Sequence, residues 1–228
     1  MKQFIDLFML AITPGIALSI FIYYLDKHDK EPKTLLLKLF FYGMLISIPV
    51  ILFEKVLMSF NVFTKVLSEL YKALIVAGFT EEFFKRFVVL SLAYKNKNFN
   101  EKFDGIVYAV ITALGFATLE NILYVVFGYQ SYRVGFSRAV ISVPGHMLFA
   151  ITMGYYLSLA KFCTVKRKCQ YYFVLSLVVP IIFHGLFDFI IYVQAYVILP
   201  IFIIFLIFLY FFNIKKLHTF YCEKKEVE

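Results

Sequence analysis

The sequence predicts an all-α, polytopic integral membrane protein of about seven transmembrane helices. Three observations predict it. Hydrophobic residues make up 62% of the 228 positions and mean hydropathy is +0.81, whereas soluble domains run nearer half apolar. Apolar stretches of about 20 residues, the length that crosses a bilayer, recur along the whole chain. Lysine and arginine gather in alternate loops, the pattern that membrane insertion requires. No internal repeat or low-complexity segment divides the chain, so 1–228 reads as one membrane-embedded domain.

The spans fall at roughly 4–25, 35–57, 70–93, 104–128, 139–160, 170–192 and 196–214. The first follows Met1-Lys2-Gln3 with no small-residue cleavage site, so it serves as its own insertion signal. Thr13-Pro14-Gly15 predicts a kink in it, and Pro49 predicts one in the second span. Between them, Asp29-Lys30-Glu31-Pro32 reads as a turn. Glu54 and Lys55 lie near a helix end, where long charged side chains reach the interface. The third span carries four charges at its centre. Only Gln194 and its neighbours part the sixth span from the seventh. The tail from Glu223 to Glu228 reads as a solvated end. Tyr23-Tyr24, Tyr155-Tyr156 and Tyr171-Tyr172 sit at expected interfaces, as an aromatic belt does.

Basic residues orient the chain. Loops 27–33, 94–103 and 161–169 and the tail hold most of them, including Lys27, Lys95, Lys166, Arg167 and Lys215. The opposite side holds only Lys2, Lys65, Lys72, Arg133 and Arg138. This places the N-terminus outside and the C-terminus in the cytoplasm. The net charge of +8 is explained by those loops and calls for the lipid bilayer as partner, not for nucleic acid. Cys163, Cys169 and Cys222 lack a metal-binding spacing and a disulfide framework. All three fall on the cytoplasmic side, where thiols stay reduced.

The chain is organised around Gly78-Phe79-Thr80-Glu81-Glu82-Phe83-Phe84-Lys85-Arg86. Residues four apart share a helix face, which predicts the ion pairs Glu81–Lys85 and Glu82–Arg86. Charges within a membrane segment are costly and mark function by default. Other intramembrane polar groups are Glu120 and Asn121 on the fourth span, His146 after Pro144-Gly145 on the fifth, and His184 with Asp188 on the sixth. A carboxylate four residues after a histidine can orient its ring. At 1.5 Å per residue, Glu81, Glu120, His146 and His184 all lie about 10–16 Å from the outer ends of their spans. Four helices thus put polar groups at one level in the outer half of the membrane. Gly78, Gly115, Gly145 and Gly185 accompany them, and small residues let helices approach closely.

Such a cluster supports several chemistries. A carboxylate paired with an imidazole can deprotonate water for attack on a carbonyl. A second histidine, with help from Asp188 or Asn121, can stabilise the oxyanion. The same groups, Glu82, Glu120, His146 and His184, can instead hold Zn²⁺ with an open position for water. A transporter's proton relay also uses buried Glu and His, although inverted repeats, its usual companion, are absent. In a purely structural scaffold the charges lock the helices together. There is no HExxH zinc motif and no GxSxG elbow.

The ordered set Glu-Glu-x-x-Lys at Glu81–Lys85, Phe-Ala-x-x-Glu-Asn at Phe116–Asn121, His146, and His-x-x-x-Asp at His184–Asp188 resembles the PrsW family of bacterial membrane proteases. Pro14-Gly15, Asp29-x-Glu31-Pro32 and Asp104-Gly105-Ile106-Val107-Tyr108 resemble it too. That family is related to the CAAX-protease and bacteriocin-processing superfamily, whose Glu-Glu-x-x-x-Arg spacing Arg86 satisfies. The resemblance implies an intramembrane site-1 protease in the bacterial cytoplasmic membrane. It would cut the extracytoplasmic part of a membrane-spanning anti-sigma factor under envelope stress. A CAAX-type protease acting on other membrane peptides is the nearest alternative. The resemblance also implies that Glu81 and Glu82 are the essential pair. His184 belongs to the last motif, with Lys85, Arg86, Glu120 and Asn121 in support. Asp188 stands where the superfamily often has Asn. The glutamate-type mechanism that the resemblance implies would have Glu81 or Glu82, with His146, activate water, and His184 with Asp188 hold the oxyanion. A zinc-dependent mechanism is compatible with the resemblance too.

Overall fold

The computed structural model describes residues 2–26, 30–193 and 199–225. Met1, Lys27, Asp29, Gln194 and the last three residues of the expected solvated tail lie outside the described residues. The described chain is helical, with no strand among the described residues: α1 (Lys2–Leu25), α2 (Lys33–Leu45), α3 (Ser47–Ser59), α4 (Lys65–Tyr71), α5 (Thr80–Leu92), α6 (Lys102–Asn121), α7 (Tyr132–Ser137), α8 (Val143–Phe162), α9 (Lys166–Val193) and α10 (Leu199–Lys225). Wide π-type turns join α4 to α5 (Lys72–Phe79), extend α6 (Ile122–Tyr129) and join α7 to α8 (Arg138–Ser142).

Among the described residues, six helical stretches are long and apolar enough to cross a membrane: Lys2–Leu25, Lys33–Ser59, Lys102–Tyr129, Tyr132–Phe162, Lys166–Val193 and Pro200–Phe220. The remaining expected span, 70–93, is continuous helix as far as Leu92, in a helical run that starts at Lys65. Its charges do not face outward: Glu81, Glu82, Lys85 and Arg86 are all buried.

Proline acts differently in the first two spans. Helix α1 runs through Pro14 as one element. The second span breaks at Ile46, between α2 and α3. Pro49 explains the break, because its ring crowds the carbonyl four residues back and it cannot donate a hydrogen bond. Two expected spans are too short. The fifth begins at Tyr132 rather than 139, which draws Arg138 out of the loop and into the helix. The seventh continues past 214 to Lys225, so the expected tail begins as helix.

Helix α6 is the axis of the bundle and is buried without interruption from Phe103 to Thr118. It starts at a capping box, in which the Glu101 backbone N–H donates to Asp104 Oδ2 at 2.7 Å and the Asp104 backbone N–H donates to the Glu101 side chain; the Asn100 N–H joins the same Oδ2 at 3.0 Å. Helices α8, α2 and α1 pack around it. Ser158 Oγ donates to the Lys102 carbonyl at 2.6 Å and Lys161 Nζ to the Tyr94 carbonyl at 2.6 Å. These bonds bring the lysine-rich ends of α5, α6 and α8 to one end of the bundle. The outward faces carry Phe4, Phe41, Phe53, Phe127 and Phe211, all exposed. In a protein without surrounding lipid that would be an anomaly; on a membrane helix it is the lipid face.

One expectation about cysteine is corrected. The structure pairs Cys163 with Cys169 as a disulfide across the turn between α8 and α9. Cys163 follows α8 and Cys169 lies in the first turn of α9, and their Cα atoms are 5.6 Å apart, within the span that a disulfide bridges.

Candidate active site

The site begins with helix register. Glu81, Glu82 and Lys85 point from α5 toward α6, α8 and α9. Lys85 Nζ donates to Glu81 Oε2 at 2.9 Å and to Glu82 Oε1 at 2.9 Å. The sequence predicts Glu82–Arg86 instead. A helix of 3.6 residues per turn lets i+3 compete with i+4, and Lys85 takes both carboxylates. Arg86 turns to α9, where Nε donates to Ser176 Oγ at 3.0 Å and Nη2 to the Phe173 carbonyl at 2.7 Å. Its guanidinium also stacks over the Phe173 ring at 4.1 Å.

His146 enters from the first turn of α8. Its Nδ1 lies 3.1 Å from Lys85 Nζ and its Nε2 lies 3.0 Å from Glu120 Oε2. His184 enters from α9 and places Nδ1 2.9 Å from Glu82 Oε1. Its Nε2 lies 3.4 Å from Asp188 Oδ2 and 3.9 Å from Glu81 Oε2. The two imidazoles meet edge to face, with centroids 5.2 Å apart. The Phe149 ring stacks on His184 at 4.9 Å.

All three π-type turns abut this cluster: Lys72–Phe79 precedes Glu81, Ile122–Tyr129 comes just after Glu120, and Arg138–Ser142 precedes His146. Such turns widen a helix locally and concentrate at functional sites. Pro144 supplies a local cause for the last of them, since it removes a backbone donor at the start of α8.

The structure brings Glu81, Glu82, His146 and His184 into one buried group, each offering a ligand atom within 4.8 Å of the others. Glu120 is expected in this set and is not part of it. It stands behind His146 and pairs with Arg138 Nη2 at 2.8 Å, and Glu81 takes its place. Asn121 is likewise turned away, accepting from Arg138 Nε at 2.7 Å and donating to the Ala11 carbonyl at 3.3 Å. Its two bonds hold Arg138 and α1, away from the group of Glu81, Glu82, His146 and His184.

Two contributors escape the sequence reading. Arg138 reads as a loop cation, yet it lies eight residues before His146, two helical turns away on the same face. Glu54 reads as an interfacial anchor. It is half-buried on α3, within electrostatic reach of Glu81, Glu120, His184 and Lys85. The Asp104 motif lies elsewhere: Asp26, Glu31 and Asp104 converge separately, with the Tyr108 hydroxyl donating to Glu31. Asp104 is about 24 Å along α6 from Glu120.

The arrangement has two chemical properties. Two imidazoles and two carboxylates form a donor set suited to a first-row divalent ion. Glu82 Oε2 is buried and has no hydrogen-bond partner among the described residues, an acceptor that is costly unless water or a cation takes it. The group also pairs a carboxylate with an imidazole, the requirement for activating water.

The comparisons agree with this chemistry. The model of a family described as "PrsW family intramembrane metalloprotease" matches residues 31–214. A protein named Protease PrsW from Clostridioides difficile is 40% identical over 225 residues, covering 98% of this chain and 94% of the relative. One of the same name from Bacillus subtilis is 38% identical, covering 90% and 91%. Another from Geobacillus kaustophilus is 37% identical, covering 78% and 76%. No solved structure matches. A family model that spans most of the chain, and relatives this similar over three quarters or more of their length, establish that the chain belongs to the PrsW family and is a membrane-embedded peptidase.

Proposed function

We propose that this single-domain protein is a site-1 protease of a bacterial cytoplasmic membrane. It cuts the extracytoplasmic part of a membrane-spanning anti-sigma factor and so starts the release of a sigma factor. The observation that carries the reading is the convergence of Glu81, Glu82, His146 and His184 from three helices into one buried group.

The level of the group supports the side of cleavage. From the shared lysine-rich end, Glu120 and His184 are each about 27 Å along their helices, counted from Lys102 and Lys166. His146 is about 24 Å from Phe162. With the lysine-rich end in the cytoplasm, the group lies in the outer half of the membrane, and the N-terminus is outside.

The distances suggest the roles. Glu81 is the general base for the attacking water: its Oε2 lies 3.9 Å from both His146 Nδ1 and His184 Nε2, between the two rings. Glu82 accepts from His184 Nδ1 and sets that ring's orientation. His184 Nε2 carries a proton that points toward Asp188 at rest and can turn to the developing oxyanion, and preorganised donors of this kind are a major source of acyl-transfer catalysis. Lys85 offsets the charge of the two carboxylates. If Zn²⁺ is the family's metal, Glu81, Glu82, His146 and His184 would hold it, and it would lower the pKa of a bound water.

The test is cleavage of a candidate anti-sigma factor by the purified protein in detergent, with and without a strong chelator, beside Glu81→Gln and Glu82→Gln. Cleavage by the wild type and its loss in both variants is expected. Full cleavage by Glu82→Gln would sink the site assignment. If the wild type cuts other membrane peptides and leaves the anti-sigma factor intact, the substrate assignment is wrong.

A further inference from the structure

The side chain at the centre of the site is a lysine. Lys85 is 1% exposed. An ammonium has three N–H donors and no acceptor. Its three neighbours are Glu81 Oε2 at 2.9 Å, Glu82 Oε1 at 2.9 Å and His146 Nδ1 at 3.1 Å. The Phe116 ring closes over Nζ at 4.3 Å. Every donor is therefore matched. The match also fixes the histidine: Nδ1 must present its lone pair to the ammonium, so Nε2 carries the proton and donates it to Glu120.

Those three neighbours are also three of the four residues in the metal-competent group. A divalent ion held there needs the same Nδ1 lone pair, because the other ring nitrogen is committed to Glu120, and it would share both carboxylates with the ammonium through their remaining oxygens. Two cations a few ångströms apart in a buried site repel strongly, and one Nδ1 lone pair cannot serve both.

We infer that Lys85 is the built-in cation of this site and a competitor of metal: its ammonium and a divalent ion are mutually exclusive occupants. Metal then binds the wild-type chain weakly, and only with Lys85 displaced. The inference rests on reading this group as the catalytic centre, and it makes Lys85 the residue that sets metal affinity there.

The experiment measures binding directly. Full-length protein in detergent is stripped with chelator and titrated with Co²⁺ and with Zn²⁺. Bound ion per chain is read by elemental analysis and the Co²⁺ ligand field by visible absorption. Wild type, Lys85→Arg, Lys85→Met and Lys85→Gln are compared. The neutral variants should bind one ion about 100-fold or more tightly than wild type, with tetrahedral Co²⁺ bands. Those bands should vanish when His184→Ala is added to Lys85→Met. Lys85→Arg should stay as weak as wild type. Equal, tight, one-to-one binding by wild type and Lys85→Met overturns the inference, as does the absence of binding in every variant. If neither neutral variant folds, wild type decides: a tightly bound ion raises the unfolding temperature and overturns the inference, whereas no rise in excess Zn²⁺ supports it. Peptide cleavage by the wild type is assayed alongside. Its absence counts against the protease reading and leaves the binding contrast to stand alone. Cleavage by a tightly metal-loaded wild type keeps the protease reading and removes this one.

Discussion

His146 and Glu120 are joined by a 3.0 Å contact between Nε2 and Oε2, and Arg138 holds the same carboxylate oxygen at 2.8 Å. Asn121 in turn accepts from Arg138 and donates to the Ala11 carbonyl. This relay ties α8 to α6 and α1, and fixes the ring at the edge away from the reacting groups. The role we propose for Glu120 is therefore to position His146 from behind. Glu120→Gln should keep the fold and lower kcat about 10–100-fold, the usual cost of losing a partner behind a functional histidine. Steady-state cleavage with KM measured separately checks this. A wild-type kcat would show that the relay is dispensable.

Asp188 lies one turn after His184 and 3.4 Å from its Nε2. The contact is longer than an ordinary hydrogen bond, and Asp188 is partly exposed. A carbonyl oxygen in the same place can accept the same proton. Asp188→Asn should retain cleavage within about tenfold of wild type, while Asp188→Leu, which leaves Nε2 without an acceptor, should lose about 100-fold or more. Equal losses in the two variants would mean that the negative charge of Asp188, rather than its acceptor, is what the reaction uses.

Much of this site was legible in the sequence because membrane helices simplify the reading. An ionisable residue in a 20-residue apolar run must be accommodated somewhere, and helical rise gives its depth. That logic located Glu81, Glu82, His146 and His184 and their common level. It failed where the answer depended on rotation about a helix rather than height along it. Glu120 has the right depth, yet its side chain lies behind His146. Lys85 and Arg86 are adjacent, and only packing decides which of them reaches the carboxylates. Glu54 sits near a helix end, where an anchoring role is the ordinary expectation, although α3 leans its inner face toward the cluster. The π-type turns were invisible for a similar reason, since they leave hydrophobic periodicity nearly intact while rotating the next stretch of helix.

Gly78 and Gly185 bring the turn Lys72–Phe79 and α9 together beside the site. A Cβ on Gly78 would lie 2.9 Å from the Ala73 carbonyl oxygen and 3.2 Å from Gly185 N and the Ile181 carbonyl oxygen. These are backbone atoms, which cannot rotate aside. Gly78→Val should lower stability by about 1–3 kcal/mol, the cost of overpacking. Because Glu81 and Glu82 come within four residues of it, cleavage should fall as well, even below the unfolding temperature. Thermal unfolding and activity on the same sample test both parts. A variant as stable as wild type would show that these helices can separate without harm.

Arg86 is the charge in this stretch that turns away from the Glu/His group. Its guanidinium fastens α5 to α9 through Ser176 Oγ, the Phe173 carbonyl and the Phe173 ring. Lysine keeps the charge but loses the planar fork and most of the stacking. Arg86→Lys should therefore cost about 1–3 kcal/mol of stability, the range for a buried hydrogen bond to a charged group. Cleavage per folded molecule should stay within about threefold of wild type, because α5 is still held to the site by Lys85. Chemical unfolding in detergent, with activity normalised to folded protein, separates the two effects. A loss of turnover as large as that of Glu82→Gln, at unchanged stability, would instead place Arg86 among the groups that act on substrate.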